Sequence, residues 1–186
     1  MRAALARHDE IVRAAIEAYD GHVFSTAGDS FVVAFSTTAQ ATEAAIGIQR
    51  GLALEEVHGE GLRVRAAIHV GTAQERGGDY FGPAVNRTAR LMASAHGGQI
   101  VVSNVAHALL KGYAFVDLGE PHLKDLSEPE RVWGLMFDNG EIFPALRTAA
   151  SYLDEVLLDA RPLPRDRTPV DGHDESVCWF ERPAAW

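Results

Sequence analysis

An asparagine and an arginine four residues apart, Asn86 and Arg90, are the side chains of this sequence best suited to chemistry on a ligand. They follow Gly82-Pro83, a typical helix start because the missing N–H of proline costs nothing there. The helical spacing places four residues on the buried side of this helix: Ala84, Thr88, Leu91 and Ala95. Arginine offers forked donors for phosphate oxygens, and asparagine can both donate to and accept from a ribose. The pair therefore suits a nucleotide, although two ordinary surface residues of an amphipathic helix would show the same pattern.

The composition limits the class of protein. The chain has 186 residues, 47% of them hydrophobic, which suffices for one domain with a real core. No apolar run approaches the ~18 residues that span a bilayer, and the amino terminus lacks a signal-peptide pattern, so we expect a soluble, cytoplasmic protein without membrane contact. A net charge of −9 argues against a nucleic-acid partner but leaves a small nucleotide possible. The single cysteine, Cys178, excludes an internal disulfide and a cysteine-based metal cage.

The hydrophobic pattern predicts alternating helices and strands. A hairpin is expected from strands 22–26 and 31–35, with Asp29 at or beside its tip, where Gly-Asp is common turn chemistry. The remaining elements are predicted as helices 3–19, 38–56, 82–95 and 103–110, and strands 62–70, 99–102, 113–118 and 131–136, with a polar loop at 72–78. Such alternation indicates layered helices and sheet.

The chain changes character near its end. Five of its eight prolines lie between positions 144 and 186. We therefore divide the chain into a domain at 1–137 and a tail at 138–186, in which 160–176 is predicted to be disordered. Residues 178–180 fit no periodic pattern, and the tail receives no functional assignment.

Several motifs occur together in one order and spacing. They are Phe24-Ser25-Thr26-Ala27-Gly28-Asp29, His69-Val70-Gly71, Asp79 through Arg90, and Leu123-Lys124-Asp125-Leu126-Ser127-Glu128-Pro129. Over residues 1 to about 136 the chain resembles the catalytic domain of class III nucleotide cyclases. The resemblance implies an α+β fold with a ferredoxin-like βαββαβ core, working as a homodimer or heterodimer with active sites at the subunit interface.

The resemblance also implies a reaction and its residues. ATP or GTP would lose pyrophosphate as its 3′ hydroxyl attacks the α-phosphate, assisted by two Mg²⁺ or Mn²⁺ ions. Asp29 would bind metal, and Asp79 would recognise the purine edge. Asn86 would orient the ribose, and Arg90 would stabilise the transition-state phosphoryl group.

Three departures from the family pattern bear on activity. The family's first metal-binding aspartate lies on a strand before the first helix, and this sequence starts after that point, so we expect a sheet edge or central gap unless a partner or the tail fills it. Ser25 stands where the family often has an adenine-contacting lysine. The triphosphate-binding lysine falls on Leu126, so Lys124 either takes that role or is a solvated strand-end lysine.

Two functional hypotheses follow from these residues. The first is a purine nucleotide cyclase domain, a lyase that forms cyclic AMP and pyrophosphate from ATP in signal transduction, with impaired activity in this chain. The alternative is a non-catalytic cyclase-homology module that acts as a dimerisation or regulatory partner. The choice between ATP and GTP as substrate stays open, because Ser25 and Asp79 stand where the family usually has a lysine and an aspartate.

Overall fold

A computed structural model describes residues 2–57, 60–126, 129–138, 140–147 and 174–181. These residues form an α+β fold, so the predicted class is confirmed. The helices are α1 (Arg2–Ala18), α2 (Thr38–Ala53), α3 (Pro83–Ser94) and α4 (Asn104–Leu109). The strands are β1 (His22–Ala27), β2 (Ser30–Phe35), β3 (Glu56–Val57), β4 (Glu60–Gly61), β5 (Arg65–Thr72), β6 (Gln74–Arg76), β7 (Asp79–Phe81), β8 (Ile100–Ser103), β9 (Ala114–Asp117), β10 (Val132–Met136) and β11 (Asp174–Glu181).

One mixed sheet organises the described chain. Its seven strands lie in the order β1-β2-β11-β5-β8-β10-β9. Neighbouring strands are antiparallel except for β5 and β8, which are parallel. Two small pairs, β3 with β4 and β6 with β7, stand apart from this sheet. A parallel pair requires a crossover, and the chain between β5 and β8 supplies one that contains α3.

The centre of the sheet is occupied by a strand that the sequence pattern did not predict. Residues 174–181 form β11 between β2 and β5, antiparallel to both. The expected central gap is therefore filled by the tail, and Cys178 lies within this strand. The local hydrophobic periodicity did not indicate this strand, because its pairing partners, β2 and β5, lie far away in the sequence. The segment predicted to be disordered was 160–176, and its last three residues, 174–176, begin β11, so that part of the prediction is wrong. Residues 160–173 and the terminal Trp186 lie outside the described residues.

The two sheet faces carry separate cores. On the face covered by α1 and α2, the fully buried side chains include Val33, Ile48 and Ile68. On the α3 face, Leu91 packs with Val101 and others. The side chain of Thr37 caps α2 by accepting the N–H of Gln40 at 3.2 Å. In the part of the chain that the structure describes, no helix is long and apolar enough to cross a bilayer.

The predicted polar loop at 72–78 contains regular structure instead. Strands β6 and β7 form a hairpin whose turn is Gly77-Gly78, with φ of 66° and 88°. Successive positive φ values are the requirement of a tight type I′ turn, and glycine meets it without strain. The strand predicted at 62–70 begins later, at Arg65, while Leu62 and Val64 are buried beside it.

Candidate active site

Helix α3 presents Asn86 and Arg90 away from the core, as the sequence predicted. The four residues expected on its inner side are all buried: Ala84, Thr88, Leu91 and Ala95. Asn86 is exposed, and the Arg90 side chain is 39% exposed. The helix begins at Pro83 after Gly82, whose φ of 131° is readily adopted only by glycine. An amide and a guanidinium are therefore accessible to a ligand.

A loop residue that sequence reasoning missed pairs with Arg90. The Nη2 of Arg90 donates to Asp125 Oδ2 at 2.6 Å. Asp125 has a φ of 62°, which places it in a left-handed turn, and the preceding Lys124 is exposed. The ion pair thus brings the loop that carries Lys124 to the exposed side of α3. The available signal was an acidic residue within the motif 123–129, directly after the lysine.

The hairpin of β1 and β2 carries Asp29 and Ser25. Asp29 follows Gly28 in the turn between the strands and is half-buried, so its predicted place at the tip is confirmed. Gly28 has a φ of 62°, which suits a tight turn. Ser25 lies on β1 and is exposed. Both side chains are thus held by one hairpin, on elements other than α3.

Aromatic packing connects this hairpin to the start of α3. The rings of Phe24 and Tyr80 meet edge to face with centroids 5.0 Å apart, and Val85 of α3 joins the same cluster. The Nε2–H of His22 donates to the carbonyl of Gly78 at 3.4 Å. Asp79 begins β7 and is exposed. The strands that carry Ser25 and Asp79 are therefore neighbours, and β7 leads directly into the helix with Asn86 and Arg90.

An ion pair between a half-exposed arginine and a buried glutamate, also missed by sequence reasoning, anchors α3 at Arg87, the residue after Asn86. Arg87 donates to Glu130, whose side chain is 6% exposed. Glu130 lies just before β10, so the pair ties the site helix to the far half of the sheet. Loss of Arg87 would leave the buried Glu130 carboxylate without its partner, so the contact constrains the position of α3. A spacing of 43 residues gives no local sequence signal.

His69 lies beneath α3 and is held as a neutral group. Its Nδ1 is 2.9 Å from the hydroxyl of Ser103, and the side chain is 6% exposed. Burial, with a smaller contribution from the nearby charge of Arg87, lowers the pKa of His69 to about 4. The imidazole is therefore uncharged at neutral pH, so it supplies no positive charge beneath α3.

The described side chains do not assemble a complete two-metal site. No group of three or more histidine, cysteine, aspartate or glutamate side chains that could hold a metal ion occurs in the described part of the chain. Asp29 offers one carboxylate at the hairpin tip. Hard divalent cations need several oxygen ligands, so the described residues alone do not fit the pair of ions that the resemblance implies.

Comparison with known proteins gives the family. The sequence profile of the adenylate and guanylate cyclase catalytic domain matches residues 1–136. An uncharacterized protein of Mycobacterium tuberculosis is 39% identical over 165 residues, covering 84% of this chain and 56% of the relative. A putative adenylate cyclase of Rhizobium meliloti is 27% identical over 135 residues, covering 69% and 23%. The chain thus spans about half, or less, of the length of these curated relatives.

Solved structures agree with the profile. Adenylate cyclases from Trypanosoma brucei in their monomeric state match with a TM-score of 0.70 and 24% identity, covering 80% of this chain and 85% of theirs. An adenylate/guanylate cyclase/hydrolase from Silicibacter pomeroyi matches with a TM-score of 0.63 and 32% identity, covering 69% and 78%. The first shows a shared fold, and the second is also related in sequence. The chain belongs to the family of adenylate and guanylate cyclase catalytic domains.

Proposed function

We propose that this domain forms cyclic AMP and pyrophosphate from ATP, at a site shared between two subunits. The observation that supports this most directly is the exposed pair on α3, Asn86 and Arg90, beside the loop that carries Lys124. In the reaction, the ribose O3′ bonds to the α-phosphorus and the bond from that phosphorus to the pyrophosphate oxygen breaks. The hydroxyl proton passes to solvent, and pyrophosphate leaves with the bonding electrons.

Each exposed group has a distinct proposed task. Asn86 accepts from or donates to the ribose, which holds O3′ in line with the phosphorus. Arg90 places its donors on phosphoryl oxygens, where negative charge grows in the transition state. Lys124 contributes a mobile positive charge to the triphosphate. Asp79 and Ser25 take part in recognising the base, with Asp79 able to accept from an exocyclic amine.

The same proposal includes low activity for the chain acting alone. Mg²⁺ or Mn²⁺ is the proposed cofactor, and Asp29 is its proposed ligand in this chain. A single carboxylate is a poor site for two divalent ions, so we expect slow turnover by a homodimer. The incomplete donor set also favours the second candidate, a cyclase-homology module that binds a partner cyclase domain without catalysing the reaction itself.

An assay with the purified chain tests the first function. Cyclic nucleotide formation is measured with ATP or GTP and Mn²⁺ or Mg²⁺, and nucleotide binding is measured separately by titration calorimetry. Arg90→Ala should lower turnover by about 10²-fold, the usual effect of removing one transition-state donor. Arg63→Ala is the matched control, because Arg63 also makes an exposed 2.6 Å ion pair, with Glu141.

The outcomes separate the candidates. ATP-dependent turnover that Arg90→Ala abolishes and Arg63→Ala spares supports the cyclase. Dimerisation with neither nucleotide binding nor turnover favours the non-catalytic module. Turnover that is insensitive to Arg90→Ala would contradict the assigned site.

A further inference from the structure

The tail strand β11 connects two parts of the sheet that share no other strand pairing in the described chain. Its residues pair with β5 from Asp174↔Thr72 to Glu181↔Arg65, and with β2 from Ser176↔Phe35 to Phe180↔Phe31. On one side lie β1 and β2, and on the other lie β5, β8, β10 and β9. The position between β2 and β5 is therefore a slot with hydrogen-bonding edges on both sides, and β11 fills it.

The two sides of this slot carry different parts of the proposed site. The hairpin β1–β2 bears Asp29 and Ser25, whereas α3 bears Asn86 and Arg90. Helix α3 packs against both β5 and β11. Besides the Phe24, Tyr80 and Val85 cluster, the His22–Gly78 hydrogen bond and the core under α1 and α2, the pairing of β11 contributes to the relative position of hairpin and helix, and it is the strand pairing that joins them within the sheet in the described chain.

We propose that residues 174–181 act as an internal donor strand whose docking between β2 and β5 positions the Asp29 hairpin against the Asn86 and Arg90 helix. The docked strand comes from the same chain. The 26 residues between Arg147 and Asp174 can reach about 85 Å when extended, whereas a domain of this size is roughly 40 Å across. Main-chain pairing on two edges supplies the affinity, as in other strand-addition complexes. The effect on activity rests on the proposed function, but the docking itself does not.

The sequence contains its own reporter of docking. Cys178 is the single cysteine, and its register partners are Val33 and Ile68, both 0% exposed. A strand held in the middle of the sheet opens only by local or global unfolding, which slows any reaction of its thiol. We therefore expect a thiol reagent to react with Cys178 only while the strand is undocked, and we expect the added bulk to prevent the strand from docking again.

The first experiment labels the native full-length chain with a maleimide and follows the rate by mass spectrometry. The control carries Cys178→Ser with Leu54→Cys, because Leu54 is 84% exposed. We expect Cys178 to react at least about 100-fold more slowly than the thiol at position 54. In hydrogen exchange, the amides of 174–181 should be protected to the same degree as those of β5. Equal labelling rates, or unprotected amides at 174–181, would overturn the docking.

A second arm identifies the source of the strand. Ile68→Cys places a thiol at the register partner of Cys178, and mild oxidation should give a disulfide within the monomer on a non-reducing gel. A covalent dimer would instead show that the strand comes from a second copy and would overturn the assignment to the same chain. Should this variant fail to fold, the labelling and exchange measurements on the unaltered chain still decide whether the strand docks.

The third arm links docking to catalysis. As the unaltered chain is labelled, cyclase activity should disappear with the rate constant of labelling, whereas Cys178→Ser should keep its activity in the reagent. Full activity in the labelled protein would overturn the positioning role. A chain that shows no activity at the outset, either alone or mixed with a cyclase domain that has a complete set of metal carboxylates, contradicts the proposed function and not the docking, because the labelling and exchange rates report docking independently.

Discussion

The 2.6 Å pair between Arg90 and Asp125 places a competitor beside the proposed phosphate-binding group. Both side chains are substantially exposed, 39% and 59%, so the pair contributes at most about 1 kcal/mol to stability. The Asp125 carboxylate occupies the Nη2 donor of the guanidinium, one of the groups that could bind a phosphate. If Arg90 binds the nucleotide as proposed, the nucleotide competes with Asp125 for the guanidinium, and we expect this competition to reduce the net affinity.

Asp125→Asn should strengthen nucleotide binding. The change removes the competing charge, while asparagine accepts the φ of 62° at this position with little strain. We expect the Kd for ATP, measured by titration calorimetry, to fall by about threefold to tenfold, which corresponds to roughly 1 kcal/mol. Glu141→Gln, at the comparable surface pair with Arg63, should leave the Kd unchanged. A weaker affinity in Asp125→Asn would show that the carboxylate assists binding.

His69 should make the fold sensitive to mild acid. Its pKa is about 4 in the folded chain against 6.5 for the ordinary group, so the unfolded chain binds more protons between these values. The contribution of His69 to stability is therefore complete above about pH 6.5 and falls by up to about 3 kcal/mol as pH drops to about 4. Urea unfolding between pH 4 and 7 should show a shallower pH dependence for His69→Gln than for the natural chain. Parallel curves would contradict a buried neutral imidazole.

Two glycines, one after α1 and one within α2, show how local packing decides the effect of a glycine-to-alanine substitution. A Cβ on Gly21 would lie 2.6 Å from Phe35 Cε1 and 2.7 Å from Ile16 Cγ2, and both side chains are in the core. On Gly47, within α2, the nearest atom would be the Cβ of Ala15 at 3.7 Å, an ordinary contact. Gly21 thus permits the close approach of α1 and β2, whereas Gly47 leaves room for a methyl group.

The same change at these two positions should have opposite effects. Gly21→Ala should lower the free energy of unfolding by about 1–3 kcal/mol, because the core must shift to admit the methyl group. Gly47→Ala should raise it by about 0.5–1 kcal/mol through helix propensity. Both values come from urea denaturation curves. Equal effects would show that the α1–β2 contact is not tightly packed.

Elements with a strong local pattern were predictable, and those made by distant pairing were not. The spacing of Ala84, Thr88, Leu91 and Ala95 predicted both α3 and the exposure of Asn86, because one helical period determines both faces. The hairpin with Asp29 followed from two β-rich runs around Gly-Asp. Periodicity does not detect contacts between residues that are far apart in sequence. Three features depend on such contacts: strand β11, the Arg90–Asp125 pair and the Arg87–Glu130 pair. The gap that β11 fills was expected, but its occupant was identified only by the structure.

The whole described chain carries more of the residues proposed to bind the nucleotide than of the carboxylates proposed to bind metal. The resemblance to the family implies that each interfacial site takes metal-binding aspartates from one subunit and the base, ribose and transition-state groups from the other. Among the described residues, Asp29 is the proposed member of the first set. Asp79, Asn86 and Arg90 are the proposed members of the second set, and the Arg87–Glu130 pair holds the helix of Asn86 and Arg90 in place. A partner subunit that supplies both metal-binding carboxylates would therefore complete the proposed site better than a second copy of this chain.

We expect a heterodimer to be more active than the homodimer. The chain is mixed with a cyclase domain of the same family whose own equivalents of Asn86 and Arg90 have been replaced by alanine, and cyclic nucleotide is measured with Mn²⁺ or Mg²⁺. Each protein alone should be nearly inactive, because this chain offers a single proposed metal ligand, Asp29, among its described residues and the other lacks the transition-state donor, a loss of about 10²-fold or more.

The mixture should form one working site that joins the partner's metal carboxylates with Asn86 and Arg90 of this chain. Adding Arg90→Ala to this chain should then abolish the recovered activity, whereas Arg63→Ala should preserve it, since Arg63 pairs with Glu141 on the surface. Size-exclusion chromatography with light scattering establishes that the heterodimer forms in every mixture. Rapid turnover by this chain alone would contradict the unequal division of the site, because the chain would then not need the metal carboxylates of a partner. No recovered activity in a demonstrated heterodimer would also contradict it, because Asn86 and Arg90 of this chain would then not complete the partner's site.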